Sequence, residues 1–323
     1  MATRLYIASD LHAAEKAWRK FVNAIRLNVY KADAALLAGD LTGKAIVPII
    51  QDPDPTHPAR YETDLFGVHR TARGDEELAA LERDIADVGY YSFVTTAPEA
   101  ERLSADEPAR DELLHRLMSE RVQEWLALAT ERLADSQVPL YLIPGNDDEF
   151  GIDEILDAPG HSPVNVDGKV VELPGGLQLL ACGWSNHTPW QTPREESEDE
   201  LYARLDALAR QVSDPRRAVF MIHVPPHDSG LDTAPLLDEN LRPTISAGDV
   251  LRGPVGSTAV RRIIEDYQPV LAIHGHIHES GGERKIGKTL CVNPGSEANH
   301  GILRGYLVDI GRKGVELVQR VEG

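Results

Sequence analysis

The sequence predicts an α/β (or α+β) protein in which two β-sheets pack face to face. Apolar runs at 4–9 and 34–38 flank a segment whose apolar residues recur at helical spacing, which is the pattern of a strand–helix–strand unit with parallel strands. The last third of the chain is richer in strands than in helices, with strand-like runs at 288–293, 304–310 and 315–321. An α/β first half followed by a strand-rich end indicates two sheets.

The helices are predicted from apolar spacing and from capping residues. The first helix presents one apolar face, formed by Trp18, Phe21, Val22, Ile25 and Val29. Residues 109–134 keep the same spacing over a longer stretch and predict a second helix. Ser197 and Glu200 form a capping box that opens a helix reaching about Val212. Ser257 is predicted to cap another helix.

The remaining strands are predicted from short apolar runs that end at polar residues. These runs lie at 138–143, 176–182, 218–222 and 270–273. Residues 164–173 are predicted to form a β-hairpin that turns at Asp167 and Gly168, because Asp-Gly between strand-like runs is a strong hairpin signal.

Residues 45–108 interrupt this pattern and are predicted to be an insertion on a single domain that spans 1–323. Prolines break long elements there, and 75–88 has the spacing of a short acidic helix, so the insertion is expected to be helical. Two histidines of this segment, His57 and His69, and His115 just after it are expected to be surface or packing residues.

Composition limits the partners and the location of the protein. The chain carries 33 basic and 52 acidic residues, a net charge of −19, and residues 75–135 alone hold 16 acidic against 6 basic residues. Nucleic-acid binding is therefore not expected, because it needs a basic surface. No apolar run has the length of a membrane span, and the chain enters its first strand without a signal-like segment, so a cytoplasmic location is expected. Cys182 and Cys291 lie in apolar runs and are predicted to be buried free thiols.

The stretch from Gly39 to Lys44 resembles a phosphate-binding loop but does not match that motif. The motif needs four residues between its glycines and a Ser or Thr after its lysine. Here three residues separate Gly39 from Gly43, and Ala45 follows Lys44. A nucleotide-binding loop is therefore excluded.

Polar residues with metal-binding side chains follow the predicted strands. They are Asp10, His12, Asp40, Asn146, His223, His276 and His278. Because parallel strands end at one edge of a sheet, these side chains are expected to meet. Mixed histidine and carboxylate ligands favour Mn, Fe, Zn or Co, and a shared carboxylate would hold two ions about 3.5–4 Å apart. His274, inside the strand, is equally compatible with a core histidine and with a ligand.

The order of these motifs resembles the calcineurin-like metallophosphoesterase superfamily. The motifs are Asp10-x-His12, Gly39-Asp40, Gly145-Asn146, His223 and Gly275-His276-x-His278. The stretches 188–195, 223–227 and 275–280, together with 293–296, resemble a little-characterised prokaryotic branch of this superfamily. The resemblance implies a β-sandwich of two mixed sheets flanked by helices. It also implies two divalent transition-metal ions: one held by Asp10, His12, Asp40 and His278, and the other by Asp40, Asn146, His223 and His276. Asp40 would bridge the two ions.

One position departs from the family pattern. The family usually has a histidine after the Gly-Asn pair, where it acts on the leaving oxygen, and this chain has Asp147. An anionic Asp147 would repel a developing alkoxide, so substrates with good leaving groups are expected to be favoured. His227 is a candidate to take over the acid's role, and His187 and Asn146 are candidates for substrate binding. His300 is a further candidate for lining the pocket.

The function that the resemblance implies is phosphoester hydrolysis. A hydroxide bridging the two ions is expected to attack the phosphorus of a small phosphodiester or phosphomonoester in line. Two alternatives remain: a metal-binding scaffold of the same fold without turnover, and a nuclease. The sequence does not favour any oligomeric state.

Overall fold

The computed structural model describes residues 2–52, 59–246 and 248–323. Within them the α-helices are α1 (Glu15–Arg26), α2 (Gly74–Asp87), α3 (Ala97–Ala105), α4 (Glu107–Leu133), α5 (Asp153–Leu156), α6 (Glu198–Ala209) and α7 (Thr258–Tyr267). The strands are β1 (Thr3–Ala8), β2 (Ala34–Ala38), β3 (Ile46–Gln51), β4 (Arg60–Leu65), β5 (Val68–Arg73), β6 (Tyr91–Thr95), β7 (Leu140–Ile143), β8 (Pro163–Asn165), β9 (Val170–Leu173), β10 (Leu177–Cys182), β11 (Ser185–Asn186), β12 (Glu195–Glu196), β13 (Ala218–Ile222), β14 (Thr233–Pro235), β15 (Ile245–Ser246), β16 (Asp249–Val250), β17 (Arg252–Pro254), β18 (Leu271–Ile273), β19 (Gly282–Ile286), β20 (Thr289–Asn293), β21 (Arg304–Gly311) and β22 (Gly314–Glu322).

Two mixed sheets form the body of the protein, as the sequence predicts. The first has the strand order β22-β21-β1-β2-β7-β8. Strands β1, β2, β7 and β8 pair in parallel, whereas β21 pairs antiparallel with both β1 and β22. The second has the order β19-β20-β18-β13-β10-β9, with β20, β18, β13 and β10 parallel and antiparallel strands at both edges.

Apolar side chains point alternately to the two faces of each strand, which explains why the two sheets pack together. In β1, Leu5 and Ile7 belong to the apolar layer between the sheets, whereas Tyr6 faces the layer that contains α1 and α4. In β13, Met221 faces the first sheet and Phe220 packs with α6 and α7. Both faces of the central strands of each sheet are therefore buried, and the helices flank a two-sheet sandwich.

The helix predictions are largely confirmed. Ser197 caps α6 with Glu200 in a capping box, and Ser257 caps α7 by accepting a hydrogen bond from Val260 N–H. Helix α6 ends at Ala209, before the expected Val212. Helix α1 ends at Arg26, so Val29 is not part of its apolar face and is 57% exposed.

The predicted hairpin at 164–173 is wrong. Strand β8 pairs with β7 in the first sheet, whereas β9 pairs with β10 in the second. The chain turns at Gly168, which has a φ of +67°, but it crosses from one sheet to the other instead of pairing with itself. Val166, fully buried between the sheets, favours this crossing because a hairpin would leave it outside the core.

The segment 45–108 contains the expected helix, α2, and in addition a sheet that the sequence did not predict. Its strands lie in the order β5-β4-β3-β6, and a separate apolar cluster packs them against α2. Most side chains of β4 and β5 are polar, so their strand signal is weak. His69 and His115 are exposed, as expected, and His57 lies outside the described residues. No helix in the described parts of the chain is long and apolar enough to cross a membrane.

Candidate metal centre

The seven predicted ligands lie at the carboxyl ends of strands from both sheets. Asp10 follows β1, Asp40 follows β2, Asn146 follows β7 and His223 follows β13, while His276 and His278 follow β18. Because the sandwich brings these strand ends to one edge, residues far apart in sequence become neighbours.

Four of these residues have left-handed backbone conformations, which are rare outside glycine. The φ angles are +54° at Asp10, +45° at His12, +52° at Asp40 and +65° at His276. Such conformations cost about 1–3 kcal/mol each and persist only where the surroundings enforce them. Their concentration at one edge makes that edge the candidate functional site.

The charged and imidazole side chains form two groups that share Asp40. Asp10, His12, Asp40 and His278 each offer a ligand atom within 4.8 Å of the others, and so do Asp40, His223 and His276. The two carboxylate oxygens of Asp40 face different groups: Oδ2 is 3.6 Å from His12 Nε2, and Oδ1 is 3.3 Å from His223 Nε2. Asp40 therefore has the geometry of a bridging ligand.

Asn146 joins the second group through its amide oxygen. Asn146 Oδ1 is 2.7 Å from His276 Nδ1 and 3.0 Å from His223 Nε2. The amide nitrogen donates a hydrogen bond of 2.8 Å to Thr192 Oγ1, and that hydroxyl donates to Glu195 Oε1 at 2.5 Å. Thr192 and Glu195 thus orient the amide so that its oxygen faces the histidines. Both residues lie in the stretch 188–195 that resembles the prokaryotic branch, but the sequence did not predict their role at the site.

The electrostatics of the metal-free cluster favour binding of cations. Burial lowers the pKa of His223, but the Asp40 and Asp10 carboxylates and the hydrogen bond to Ala38 O together raise it to about 10. Burial and, to a smaller extent, nearby His223 lower the pKa of His276 to about 4. Burial raises the pKa of Asp40, but His223 and His12 offset this effect and hold it well below its usual range. A divalent cation would replace the proton that the cluster otherwise retains.

The donor atoms fit the two ions that the resemblance implies. Among the described residues, the fully buried Asp10 Oδ2 has no hydrogen-bond partner, although Asp10 Oδ1 accepts a hydrogen bond of 2.8 Å from His276 N–H. An unpaired buried carboxylate oxygen is costly unless a cation binds it. The ring nitrogens His12 Nε2 and His278 Nε2 also converge, at 2.9 Å from each other. His223 Nδ1 lies 2.7 Å from Ala38 O, so a hydrogen bond there leaves Nε2 for a metal.

Three glycines allow the ligand loops to approach one another. A Cβ atom at Gly145 would lie 2.1 Å from Asp40 Oδ1, and one at Gly275 would lie 2.4 Å from Asp10 Oδ2. At Gly39, where φ is +100°, a Cβ atom would lie 2.2 Å from His223 Nδ1. Each glycine of the sequence motifs is therefore required by a close contact with a ligand.

Two buried polar side chains hold these loops in place. Asp148 accepts hydrogen bonds from Leu41 N–H at 2.9 Å, Thr42 N–H at 2.8 Å and Gly145 N–H at 2.8 Å, and so ties the Asp40 loop to the Asn146 loop. Asn293 donates to Ile277 O at 3.0 Å, which fixes the loop of His276 and His278. These contacts explain the strained conformations, because the loops are held from several sides.

The structure gives the Asp147 carboxylate a partner that the sequence did not indicate. Lys44 Nζ lies 2.7 Å from Asp147 Oδ1, and the Asp147 N–H donates to Asp40 Oδ1 at 3.1 Å. The same Oδ1 of Asp147 is 3.4 Å from Asn146 Nδ2. A lysine therefore offsets the negative charge of Asp147, and the effect of Asp147 on leaving groups stays a prediction.

The other histidines lie in different surroundings. His274 is fully buried, its Nδ1 is 2.8 Å from Ile222 O, and burial lowers its pKa to about 4, so it is a core histidine. The His227 ring is 4.0 Å from the Asp232 carboxylate, and the His187 ring is 71% exposed and 3.8 Å from Glu195. Catalysis by His227 and substrate binding by His187 stay predictions, and so does a pocket role for the exposed His300.

A separate cavity lies at the opposite edge of the sandwich. It has a volume of about 410 Å³ and is lined by residues that include Thr3, Asp33, Gly175, Arg217 and Arg312. Thr3 begins β1, and Gly175 and Arg217 precede β10 and β13, so the cavity faces the amino ends of these strands. It contains none of the seven candidate ligands.

Comparison with known proteins gives the class that this fold and site define. The family model for calcineurin-like phosphoesterases matches residues 106–280, which are more than half of the chain. The chain therefore belongs to the calcineurin-like phosphoesterase family. Asp10, His12 and Asp40 lie before the matched range, and it is the fold that brings them to the other ligands.

Individual relatives agree with this assignment. The chain is similar to the uncharacterized protein MJ1162 of Methanocaldococcus jannaschii, with 31% identity over 169 residues, which are 51% of this chain and 68% of that protein. It also resembles the crystal structure of TT1561 of Thermus thermophilus, with a TM-score of 0.52, 13% identity and coverage of 100% of this chain and 99% of that one. Another solved structure gives a TM-score of 0.54 at 15% identity, covering 99% of each chain. At these identities the structures support the fold alone.

Proposed function

We propose that this protein is a phosphoester hydrolase that uses two divalent transition-metal ions, Mn, Fe, Zn or Co. The observation that carries the proposal is the position of Asp40, whose two oxygens face two separate groups of ligands. Bound there, two ions would supply activated water and neutralise the oxygens of a phosphoryl group. The family assignment supports a phosphoester as substrate.

The residues of the chain divide this work between them. Asp10, His12 and His278 would hold one ion with Asp40, and Asn146, His223 and His276 would hold the other. Thr192 and Glu195 keep the amide of Asn146 in the ligand orientation. Asp148 and Asn293 hold the loops that carry these candidate ligands.

Among the alternatives, a small phosphodiester or phosphomonoester fits the charge of the protein best. A nuclease would need a basic surface for a polyanionic backbone, whereas the net charge here is −19. A protein that kept the fold without turnover would be expected to have lost ligands, and all seven candidate ligands are present here. We therefore place the nuclease and the scaffold second. The cytoplasmic location stays a prediction from the sequence.

A substrate screen tests the proposal. Purified protein reconstituted with Mn, Fe, Co or Zn is assayed with aryl phosphodiesters, cyclic nucleotides, phosphomonoesters and single-stranded DNA and RNA. We expect metal-dependent hydrolysis of a small phosphoester, and its loss in Asp40→Asn. Hydrolysis of the nucleic acids alone would favour the nuclease. A fully metal-loaded protein that hydrolyses nothing in the panel would favour the scaffold.

A further inference from the structure

We propose that Lys44 is a substrate-binding residue of this site, and that its ammonium group binds an oxygen of the phosphoester. The inference rests on the proposed function. The observation is the ion pair between Lys44 Nζ and Asp147 Oδ1, at 2.7 Å. Asp147 follows Asn146 in the sequence, and its N–H donates to Asp40. The ammonium group of Lys44 therefore contacts a residue that itself contacts two candidate ligands, Asn146 and Asp40.

The backbone around Lys44 is fixed, so the side chain starts from a defined position. Thr42 donates hydrogen bonds to the buried Asp148 from its N–H at 2.8 Å and from its hydroxyl at 2.6 Å. Gly43 N–H donates to the hydroxyl of Tyr91 at 3.1 Å, and Tyr91 N–H donates to Ala45 O at 2.9 Å. Both sides of Lys44 are thus anchored, one to the ligand loops and the other to the first residue of β6.

The ammonium group is free to reach a substrate. The Lys44 side chain is 46% exposed and that of Asp147 is 24% exposed, so the pair lies at the rim of the buried ligand cluster. An ammonium has three donor hydrogens. Among the described residues, the hydrogen bond of the Lys44 side chain goes to Asp147, which leaves donors for a substrate oxygen.

Charge explains why a lysine is needed at this position. The cluster already contains Asp10 and Asp40, and an unpaired Asp147 would add a third carboxylate next to an anionic phosphoester. Lys44 cancels that charge and offers a cation to the phosphoryl or leaving-group oxygen, as lysines do at phosphate sites. Asp147 then acts as the residue that positions Lys44.

The step that Lys44 assists is the cleavage of the bond between phosphorus and the leaving oxygen. Water supplies the oxygen that forms the new bond to phosphorus and loses one proton to solvent, and the electrons of the broken bond stay on the leaving oxygen. Lys44 stays charged and stabilises that oxygen, which takes its proton from solvent water. Alkyl leaving groups, on which more charge develops, therefore depend on Lys44 more than aryl leaving groups do.

Two variants of Lys44 and one control variant test the proposal. Lys44→Met removes the charge and keeps the aliphatic stem. Lys169→Met is the control, because the Lys169 side chain is 50% exposed, is paired with Asp157 at 3.4 Å and lies in the crossover between the sheets. Bound Mn is counted for each protein, binding of inorganic phosphate to the Mn-loaded protein is measured by calorimetry, and a series of alkyl and aryl esters is assayed.

We expect Lys44→Met to keep its full Mn content and to bind phosphate about ten- to a hundredfold more weakly, the typical effect of losing a charged hydrogen bond. Its loss of kcat/KM should be larger for alkyl than for aryl esters, with partial recovery in Lys44→Arg and no change in Lys169→Met. Lys44→Met with phosphate affinity and a leaving-group slope equal to wild type would overturn the inference and leave the proposed function standing. A Mn-loaded wild type that neither binds phosphate nor hydrolyses an ester would overturn both.

Discussion

The close contact between Gly145 and Asp40 gives the sharpest prediction about the metal centre. In Gly145→Ala, the new Cβ atom would lie 2.1 Å from Asp40 Oδ1 and 2.4 Å from Asp40 N. Cβ atoms essentially never approach other heavy atoms closer than 3.0 Å, so the carboxylate must move by about 0.9 Å. Ligand distances at metal sites tolerate only about 0.2 Å. The substitution should therefore weaken binding of both ions, because both depend on Asp40.

The magnitude and the controls follow from the same geometry. Overpacking in a rigid site typically costs about 1–3 kcal/mol of stability, so Gly145→Ala should still fold. Gly151→Ala is the control, because nothing lies within 4 Å of its Cβ position. Gly275→Ala, whose Cβ atom would lie 2.4 Å from Asp10 Oδ2, should weaken mainly one ion. Elemental analysis after reconstitution measures the metal content, and thermal unfolding measures the loss of stability. Full metal content in Gly145→Ala at wild-type affinity would refute the bridging role of Asp40.

Three further substitutions test other parts of the site. Asp40→Asn should lower activity by more than the roughly 10–100-fold that is typical when a residue hydrogen-bonded to a metal ligand is lost. Retention of both ions and of activity would contradict this. Thr192→Val frees the amide of Asn146 and should weaken the second ion about 10–100-fold in a metal titration, while unchanged affinity would show that Thr192 does not orient the amide. Tyr91→Phe leaves Gly43 N–H without its acceptor and should cost about 1–3 kcal/mol in denaturant unfolding with metal content unchanged, whereas no loss of stability would contradict the anchoring role.

The fold and the clustering of the candidate ligands could be predicted because their signals are local. Each ligand follows an apolar strand, and the position of a residue at a strand end determines which edge of the sheet it reaches. Alternation along β1 and β13 likewise determines which side chains face the other sheet. These patterns involve residues that are close in sequence, yet they determine which distant residues meet in the fold. They do not depend on the conformations of the loops.

The remaining features depend on contacts between distant segments. Asp167 and Gly168 carry a strong hairpin signal, but burial of Val166 between the sheets determines that the chain crosses there. Lys44 and Asp147 are separated by 103 positions, so no spacing rule connects them. Thr192 reaches Asn146 from a polar loop whose composition gives no sign of the contact.

The claim that two ions share Asp40 is tested most directly by anomalous diffraction from crystals of the Mn-loaded protein. We expect two anomalous peaks about 3.5–4 Å apart. One should lie among Asp10, His12 and His278, and the other should lie next to His223, with Asp40 in contact with both. A single peak at full Mn occupancy, or two peaks of which only one contacts Asp40, would contradict the claim.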